Sequence, residues 1–552
     1  MRQDPSGWQL RSDPGREAAW RRAGAWRGDT LAAVAPAVVA AGPDRVLLID
    51  GDLRLSASTL LTQARALAGA LRARGLRPGQ VVSFQLPNWH EAAVINLAAT
   101  LLGLVVNPLV PIYREAELRF MLADCRSRIL FVPEQFRGFG HAQLATRLQP
   151  ELPDLQEVVV IRGTSPGCTP WEDLLAAPPL PAAAPGPDAD AVKLVMYTSG
   201  TTGRPKGVLH SHNTIQAELR AVIAFGGIGP EDVIFMPSPV THVTGFFYAL
   251  EMPWAARIPT VMMESWNAAD ALRLVRDAGC TLTVAATPFL VELLAEAERA
   301  GERLPHFRSF ICGGASVPPE LIRRVGDVLA RCRAARVYGS TECPTITNGL
   351  PAGADPVLGA TTDGRVYNNE VRIVDPVTGK PMLAGEEGEI TARGPETFLG
   401  YARTDDNLDA FDPDGFFRTG DLGWLSADGY VTMTGRRKDL IIRGGENINP
   451  REIEDVLFQF PGVQEVAVVA MPHPRLGEGV CAFVVLREGA AVTEAALMQH
   501  VQAAGIAKQK WPERLEIVAD LPRTASGKVR KNVLRDQLAS GAAAMRAHGV
   551  GR

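Results

Sequence analysis

Tyr197-Thr198-Ser199-Gly200-Thr201-Thr202-Gly203-Arg204-Pro205-Lys206-Gly207 follows directly on the apolar run Ala191 to Tyr197. The run reads as a buried strand, and the polar residues behind it form a glycine-rich turn. Glycines leave backbone N–H groups unobstructed, Ser and Thr hydroxyls donate to phosphate oxygens, and Lys206 adds positive charge. The spacing is not GxxxxGK[ST], because Lys206 follows a proline and precedes Gly207-Val208. The P-loop of kinases and GTPases is therefore excluded. A strand ending in a phosphate-type loop sets the expectation for its surroundings, an α/β layer architecture with parallel strands.

Upstream, the chain keeps that rhythm. Ser58 to Arg74 places Leu60, Leu61, Ala64, Leu67, Ala68 and Leu71 at helical spacing before Gly75 and Pro78-Gly79 end it, and Val81 to Gln85 reads as a short buried strand. The apolar segment Ala92 to Ile112 contains Asn96, Asn107, Pro108 and Pro111. A bilayer span needs about 20 apolar residues without such breaks, so this is a buried helix followed by a strand. Arg21-Arg22 ahead of the run Leu31 to Gly42 resembles a secretory signal, but Arg27, Asp29 and Pro36 interrupt it, and we read an ordinary helix leading to the strand Val46 to Ile49. The Pro/Ala/Gly stretch around residues 176–187 reads as an exposed connector.

Downstream, residues 360–434 change to short β segments with glycine turns (Glu370 to Val374, Gly388 to Ala392, Gly429 to Thr434), predicting a small antiparallel unit. After Gly435 comes the charged run Arg436-Arg437-Lys438-Asp439, then a helix from Pro450 to Phe460 burying Ile453, Val456 and Leu457, and strands Val463 to Met471 and Val480 to Leu486. The expected organisation is a large N-terminal domain over residues 1–435 and a small α+β domain over 436–552. The Ala-rich tail after Leu538 is expected to fray.

The 552 residues carry 57 Lys+Arg against 61 Asp+Glu, a net charge of -4, and 46% are apolar. That is a globular composition with material for several domains, and disorder is excluded as the main state. Near-neutral charge gives no electrostatic reason to bind nucleic acid or an anionic membrane. Seven cysteines with no CxxC pair argue against a disulfide framework and for a reducing, cytoplasmic setting.

Four further segments carry chemistry. Tyr338-Gly339-Ser340-Thr341-Glu342 offers an aromatic face, a hydroxyl and a carboxylate able to hold Mg2+. Gly415 to Asp421 presents Asp421 after a glycine turn, where a carboxylate could accept from a ribose diol or simply cap the turn. Gly435 to Asn447 joins the charged boundary to the pair Gly444-Gly445, and Pro522 to Lys531 places Lys528 on a glycine turn. Duller readings go to other residues. His90-Glu91 lacks the second histidine of HExxH and reads as a surface helix start; His210, His212, Cys312 and Cys343 read as capping or packing residues.

Taken in order, these five motifs resemble the adenylate-forming superfamily of acyl- and aryl-CoA synthetases, luciferases and peptide-synthetase adenylation domains, over about residues 30–540. Phe84 to Trp89, Asn107-Pro108-Leu109 with Tyr113-Arg114-Glu115, and Cys312 to Ala315 resemble the branch of short- and medium-chain acyl-CoA and cyclohexanecarboxylate-CoA ligases.

The resemblance implies ATP, Mg2+ and coenzyme A as the small molecules used. It implies that Thr198, Ser199, Gly200, Thr201, Thr202, Gly203 and Lys206 hold the β- and γ-phosphates, with Glu342 and Thr198 toward the metal and Thr341 toward phosphate. Gly313, Gly314, Ala315, Tyr338 and Gly339 would flank the adenine, Asp421 and Arg436 the ribose. Lys528 would bridge the substrate carboxylate and α-phosphate, Lys438 would be the hinge, and Gly444 and Gly445 would line the pantetheine path. His242, Phe246, Phe247 and Gly339 would form the acyl pocket, with His242 its gate.

Val240, Thr241 and Val243 stand where an amino-acid-activating relative is expected to carry an Asp, which disfavours amino acids. A medium-chain, branched or alicyclic acid is expected. The rivals are a ligase loading a carrier-protein thiol, luciferase-type oxidation, and a catalytically silent nucleotide-binding regulator. No integral membrane association is expected, and a homodimer stays open.

Overall fold

The computed structural model describes residues 1–182, 186–198, 204–314, 317–523 and 529–540. Two seven-stranded sheets form the bulk of the chain. The first runs in the order Thr169–Pro170, Glu157–Ile161, Ser127–Pro133, Val81–Phe84, Val105–Pro108, Val192–Thr198, Lys206–Ser211. Its strands pair in parallel except the last pair, which is antiparallel. The second sheet orders Arg333–Val337, Ser309–Gly313, Leu282–Ala285, Ile234–Met236, Thr260–Met262, Val46–Asp50 and Leu53–Ser56, again parallel up to a final antiparallel pair.

Helices Ala57–Ala73 and His90–Leu101 share one apolar core with residues of both sheets, including Leu47, Leu48, Val82, Phe84, Val106 and Phe131. The first begins where Ser56 caps the Thr59 amide and keeps an apolar stripe inward. The second is buried from Glu91 to Thr100, so the segment is a core helix followed by a strand, as its broken hydropathy requires. Among the described residues no helix is long and apolar enough to cross a membrane. The run after Arg21-Arg22 is the helix Leu31–Ala41, followed by the strand Val46–Asp50.

A four-stranded antiparallel sheet of Glu370–Val374, Gly388–Arg393, Phe417–Leu425 and Val431–Arg436 follows. The strand Phe417–Leu425 corrects the reading of Asp421 as a turn residue: it sits inside the ladder, paired with Arg436. The single turn Arg437–Asp439 leads into a mixed five-stranded sheet over Ile441–Arg443, Glu446–Ile448, Val463–His473, Gly477–Leu486 and Arg514–Val518. Helix Pro450–Phe458, capped by Asn449, buries Ile453 and Leu457, while Val456 is only half-buried because it lies off that stripe. The tail beyond residue 540 lies outside the described residues.

Glu91 differs from its reading as part of a surface helix start. It is buried, and Arg162 donates to both of its carboxylate oxygens (2.8 and 2.9 Å) and to Asp50, which also meets His90 Nδ1 at 2.9 Å. The Arg162 guanidinium already supplies the positive charge that such a cluster needs.

Candidate active site

The strands on either side of the phosphate-type segment pair antiparallel. Thr198 ends one strand and Lys206 starts the antiparallel return, the two facing each other in register. Residues 199–203 of the predicted set lie outside the described residues. Lys206 Nζ sits 3.6 Å from Asp406 and 4.9 Å from the centroid of the Tyr401 ring, and Tyr401 Oη donates to Glu342 Oε1 at 2.8 Å. A cation and a carboxylate from two motifs far apart in sequence thereby meet one phenol, the cation over its ring and the carboxylate at its hydroxyl. Among the described residues the second Glu342 oxygen accepts no hydrogen bond, so a hard oxygen donor of the type Mg2+ takes is available there.

The Tyr338 to Thr347 segment folds on itself. Gly339 is dictated sterically: a Cβ there would stand 1.9 Å from the Pro344 carbonyl oxygen. His210 Nε2 lies 2.7 Å from the Thr341 carbonyl and must donate to it, while burial pulls its pKa down to about 4, so it packs as a neutral ring. Tyr338 Oη donates to Asp421 Oδ2 at 2.8 Å, and Arg436 Nε pairs with Asp421 Oδ1 at 3.0 Å. The Asp421 charge holds Arg436 firmly protonated. This places aromatic ring, carboxylate and guanidinium in one group.

An open cleft lies beside that group, reached through Val337 and Gly339 on either side of Tyr338. His242, Phe247, Gly313, Gly314, Gly339 and Thr341, six of the predicted residues, line it. Phe246 does not: it is fully buried in the core. Phe246–Glu251 is π-helical, with Phe247 and Tyr248 on its cleft side and Phe246 in the core, and π segments concentrate at functional sites. Sequence reasoning missed Val284, Val337, Pro344 and Thr345 in the lining, since nothing in their spacing marks them.

Glu251 anchors the π segment from beneath. Its carboxylate meets Lys193 Nζ at 2.9 Å and accepts from Asn96 Nδ2 at 2.7 Å, and Lys193 also donates to Thr100. Both ends of the ion pair are buried, at 1% and 0% side-chain exposure. His212, beside Lys193, is held well below the usual imidazole range by burial and then by that charge.

Gly444 and Gly445 form the turn between Ile441–Arg443 and Glu446–Ile448, both at positive φ (+60° and +92°). Lys438 lies exposed in the turn Arg437–Asp439. Ala315 and Lys528 fall outside the described residues. Cys312 and Cys343 are buried among their neighbours, and burial pushes the Cys312 thiol up to about 12, so neither offers a thiolate.

The AMP-binding enzyme family model matches residues 36–402, and that of the AMP-binding enzyme C-terminal domain matches 452–528. The chain belongs to the AMP-binding enzyme family. The chain is 35% identical to the medium-chain fatty-acid–CoA ligase of Escherichia coli (strain K12), across 95% of this chain and 93% of that one. It is 33% identical to the salicyl-AMP ligase/salicyl-S-ArCP synthetase of Mycobacterium tuberculosis (strain ATCC 25618 / H37Rv), across 95% and 93%. Among solved structures, ATP-bound MatB from Rhodopseudomonas palustris superposes with a TM-score of 0.81 at 30% identity, covering 92% of this chain and 98% of that one. The similarity to AMP-binding enzymes spans both the parallel-sheet layers and the smaller C-terminal unit.

Within this AMP-binding enzyme, Asp421→Asn is expected to raise the KM for ATP by about 10- to 100-fold, because it weakens a charge-assisted hydrogen-bond pair. Initial rates over an ATP series check this. An unchanged KM would show that Asp421 does not bind the nucleotide.

Proposed function

We propose that this enzyme is an ATP-dependent acid–thiol ligase that makes an acyl-CoA. Full-length similarity to an acid–CoA ligase carries the reading. In the first step a carboxylate oxygen attacks the α-phosphorus of ATP and pyrophosphate leaves. In the second the CoA thiol attacks the acyl carbon and AMP leaves.

A carboxylate is a poor electrophile, and two anions must meet to activate it, so stabilising the developing charge dominates the first step. Thr198 and Lys206 would hold the β- and γ-phosphates, and Lys528 would meet the charge developing between the substrate carboxylate and the α-phosphate. Glu342 is the residue that would hold Mg2+, which screens the triphosphate when bound. Tyr338 and the Gly313–Gly314 segment would flank the adenine. Asp421 and Arg436 would grip the ribose, their pairing across adjacent strands setting a spacing suited to a diol.

The body of the acid would lie in the cleft behind His242, against Val243, Phe247, Val284 and Val337. That apolar lining favours a medium-chain, branched or alicyclic acid. We place the domain boundary at Gly435, with residues 436–552 turning about Lys438 so that Lys528 serves one step and Gly444-Gly445 the other. The position of Lys438 in a single turn between two sheets supports this. Arg451 of the smaller unit reaches back to Asp363 (3.5 Å) and the Met433 carbonyl, a contact that holds the orientation seen here. All seven cysteines are free thiols, which supports a cytoplasmic setting.

The test is a CoA-dependent screen of aliphatic, alicyclic and aryl acids with separate detection of pyrophosphate, AMP and thioester. Pyrophosphate release without CoA-dependent AMP formation would favour transfer to a carrier-protein thiol, the second reading, which the salicyl-S-ArCP synthetase relative keeps in play. No pyrophosphate with any acid would leave only the silent regulator.

A further inference from the structure

The inner end of the cleft is backed by two buried carboxyl groups that none of the roles above employs. Tyr248 and Thr345, which line the cleft from different segments, both turn their hydroxyls to Glu218: Tyr248 Oη lies 3.0 Å from Oε1 and Thr345 Oγ1 2.6 Å from Oε2. Glu218 is fully buried, and so is Glu396, whose carboxyl accepts from the side-chain amides of Asn368 and Asn369. Asn369 also donates to the Thr345 carbonyl at 2.9 Å, fixing that residue between the two acids. The carboxyls feel one another, each lying in the same apolar surroundings that disfavour its charge. Among the described residues neither forms an ion pair with a Lys or Arg.

A hydroxyl has one proton to give and two lone pairs to offer. Once Tyr248 and Thr345 have donated to an ionised Glu218, they can only accept from anything in the cleft. An ionised Glu218 with no basic partner adds negative potential at the same place. We propose that this floor selects carboxylic acids that carry a hydrogen-bond donor, a hydroxyl or amino group, on the part of the molecule remote from the carboxylate. This rests on the acid-ligase reading and narrows it: the apolar walls take the body, and the Tyr248–Thr345 floor takes the donor. Glu218 is a positioning residue that acts through the two hydroxyls.

The experiment compares kcat/KM for saturated and aryl acids in unsubstituted, hydroxy and amino forms on matched skeletons, with pyrophosphate release as readout, at about pH 8 where the carboxylate is ionised. The wild-type enzyme should prefer a donor-bearing form over its parent by about 10-fold or more. The ratio of hydroxy to amino forms tells which donor the floor takes. In the Tyr248→Phe/Thr345→Val variant the preference should fall toward one. In Glu218→Gln it should also fall, because the amide donates to one hydroxyl and turns that proton into the cleft; a variant that merely loosened the fold would lower all rates together.

Equal or better turnover of the unsubstituted parents by the wild-type enzyme overturns the inference while leaving the ligase reading intact. So does a preference that survives in both variants. Absence of pyrophosphate with every acid overturns the ligase reading itself, and this inference with it.

Stability carries an independent mark of the same group. Burial raises the Glu218 carboxyl from 4.5 to about 7. Between those values the native protein keeps a proton that the unfolded chain has released, so this group's contribution to stability is full below 4.5 and is lost as pH rises through about 7. Relative to Glu218→Gln, the wild-type enzyme should therefore lose thermal stability on going from pH 5 to pH 7.5. A constant difference between the two proteins across that range would contradict the assignment.

Discussion

Lys528→Ala is expected to lower acyl-adenylate formation by about 10²- to 10³-fold, the usual cost of removing one donor aimed at developing negative charge. The same variant, given synthetic acyl-adenylate and CoA, should form thioester at close to the wild-type rate. The asymmetry follows from the chemistry. Joining a carboxylate to the α-phosphate brings two oxyanions together, whereas thioester formation starts from a neutral acyl carbon with AMP already in place as leaving group. Equal loss of both half-reactions would show that Lys528 holds the fold or the nucleotide and does not act in one step. Lys528→Arg sharpens the comparison: it keeps the charge but spreads it over a planar fork, so partial rescue of adenylation alone is expected.

Lys193→Met is expected to destabilise the protein by about 3–5 kcal/mol, the cost of removing one partner from a buried ion pair. Glu251 would remain out of water, and among the described residues Asn96 and Gln216 are the side chains that donate to it. The midpoint of urea unfolding measures the effect. Lys193→Met with Glu251→Leu should recover most of the loss, since exchanging a buried pair for apolar side chains of similar volume is often neutral. A loss below about 1 kcal/mol in the single variant would mean that water reaches the pair. Because Glu251 closes the π segment that carries Phe247 and Tyr248, the double variant should also show a raised KM for the acid with little change in the KM for ATP.

The sequence made part of the parallel layers legible because several buried strands are short apolar runs with glycine or proline close by, as at Val46–Asp50 before Gly51 and at Val105–Pro108. It made the Tyr338–Asp421–Arg436 group legible for a different reason: Tyr338 and the Arg436 segment lie in contiguous motifs. Asp421 was located, but as a turn residue. The alternation in Phe417–Leu425 is masked by Thr419-Gly420 in its middle, and only pairing with Val431–Arg436 reveals the strand.

The interior of the cleft was less accessible. Phe246 and Phe247 are adjacent aromatics that composition cannot tell apart, and only the packing of their helix shows which one faces the cleft. Glu218 and Glu396 lie far apart in the chain and look like ordinary helix and loop acids until packing removes them from water. Glu91 was misplaced for the same reason, since its partner Arg162 is contributed by a distant strand end.

Arg436 is the last residue of its ladder, stands opposite Asp421, and immediately precedes the turn that carries Lys438. On the function proposed above, the grip on the sugar and the axle of the smaller lobe would share one stretch of backbone. Sugar-modified nucleotides are then expected to alter how fast AMP departs and how often the lobe swings, even where equilibrium affinity barely moves.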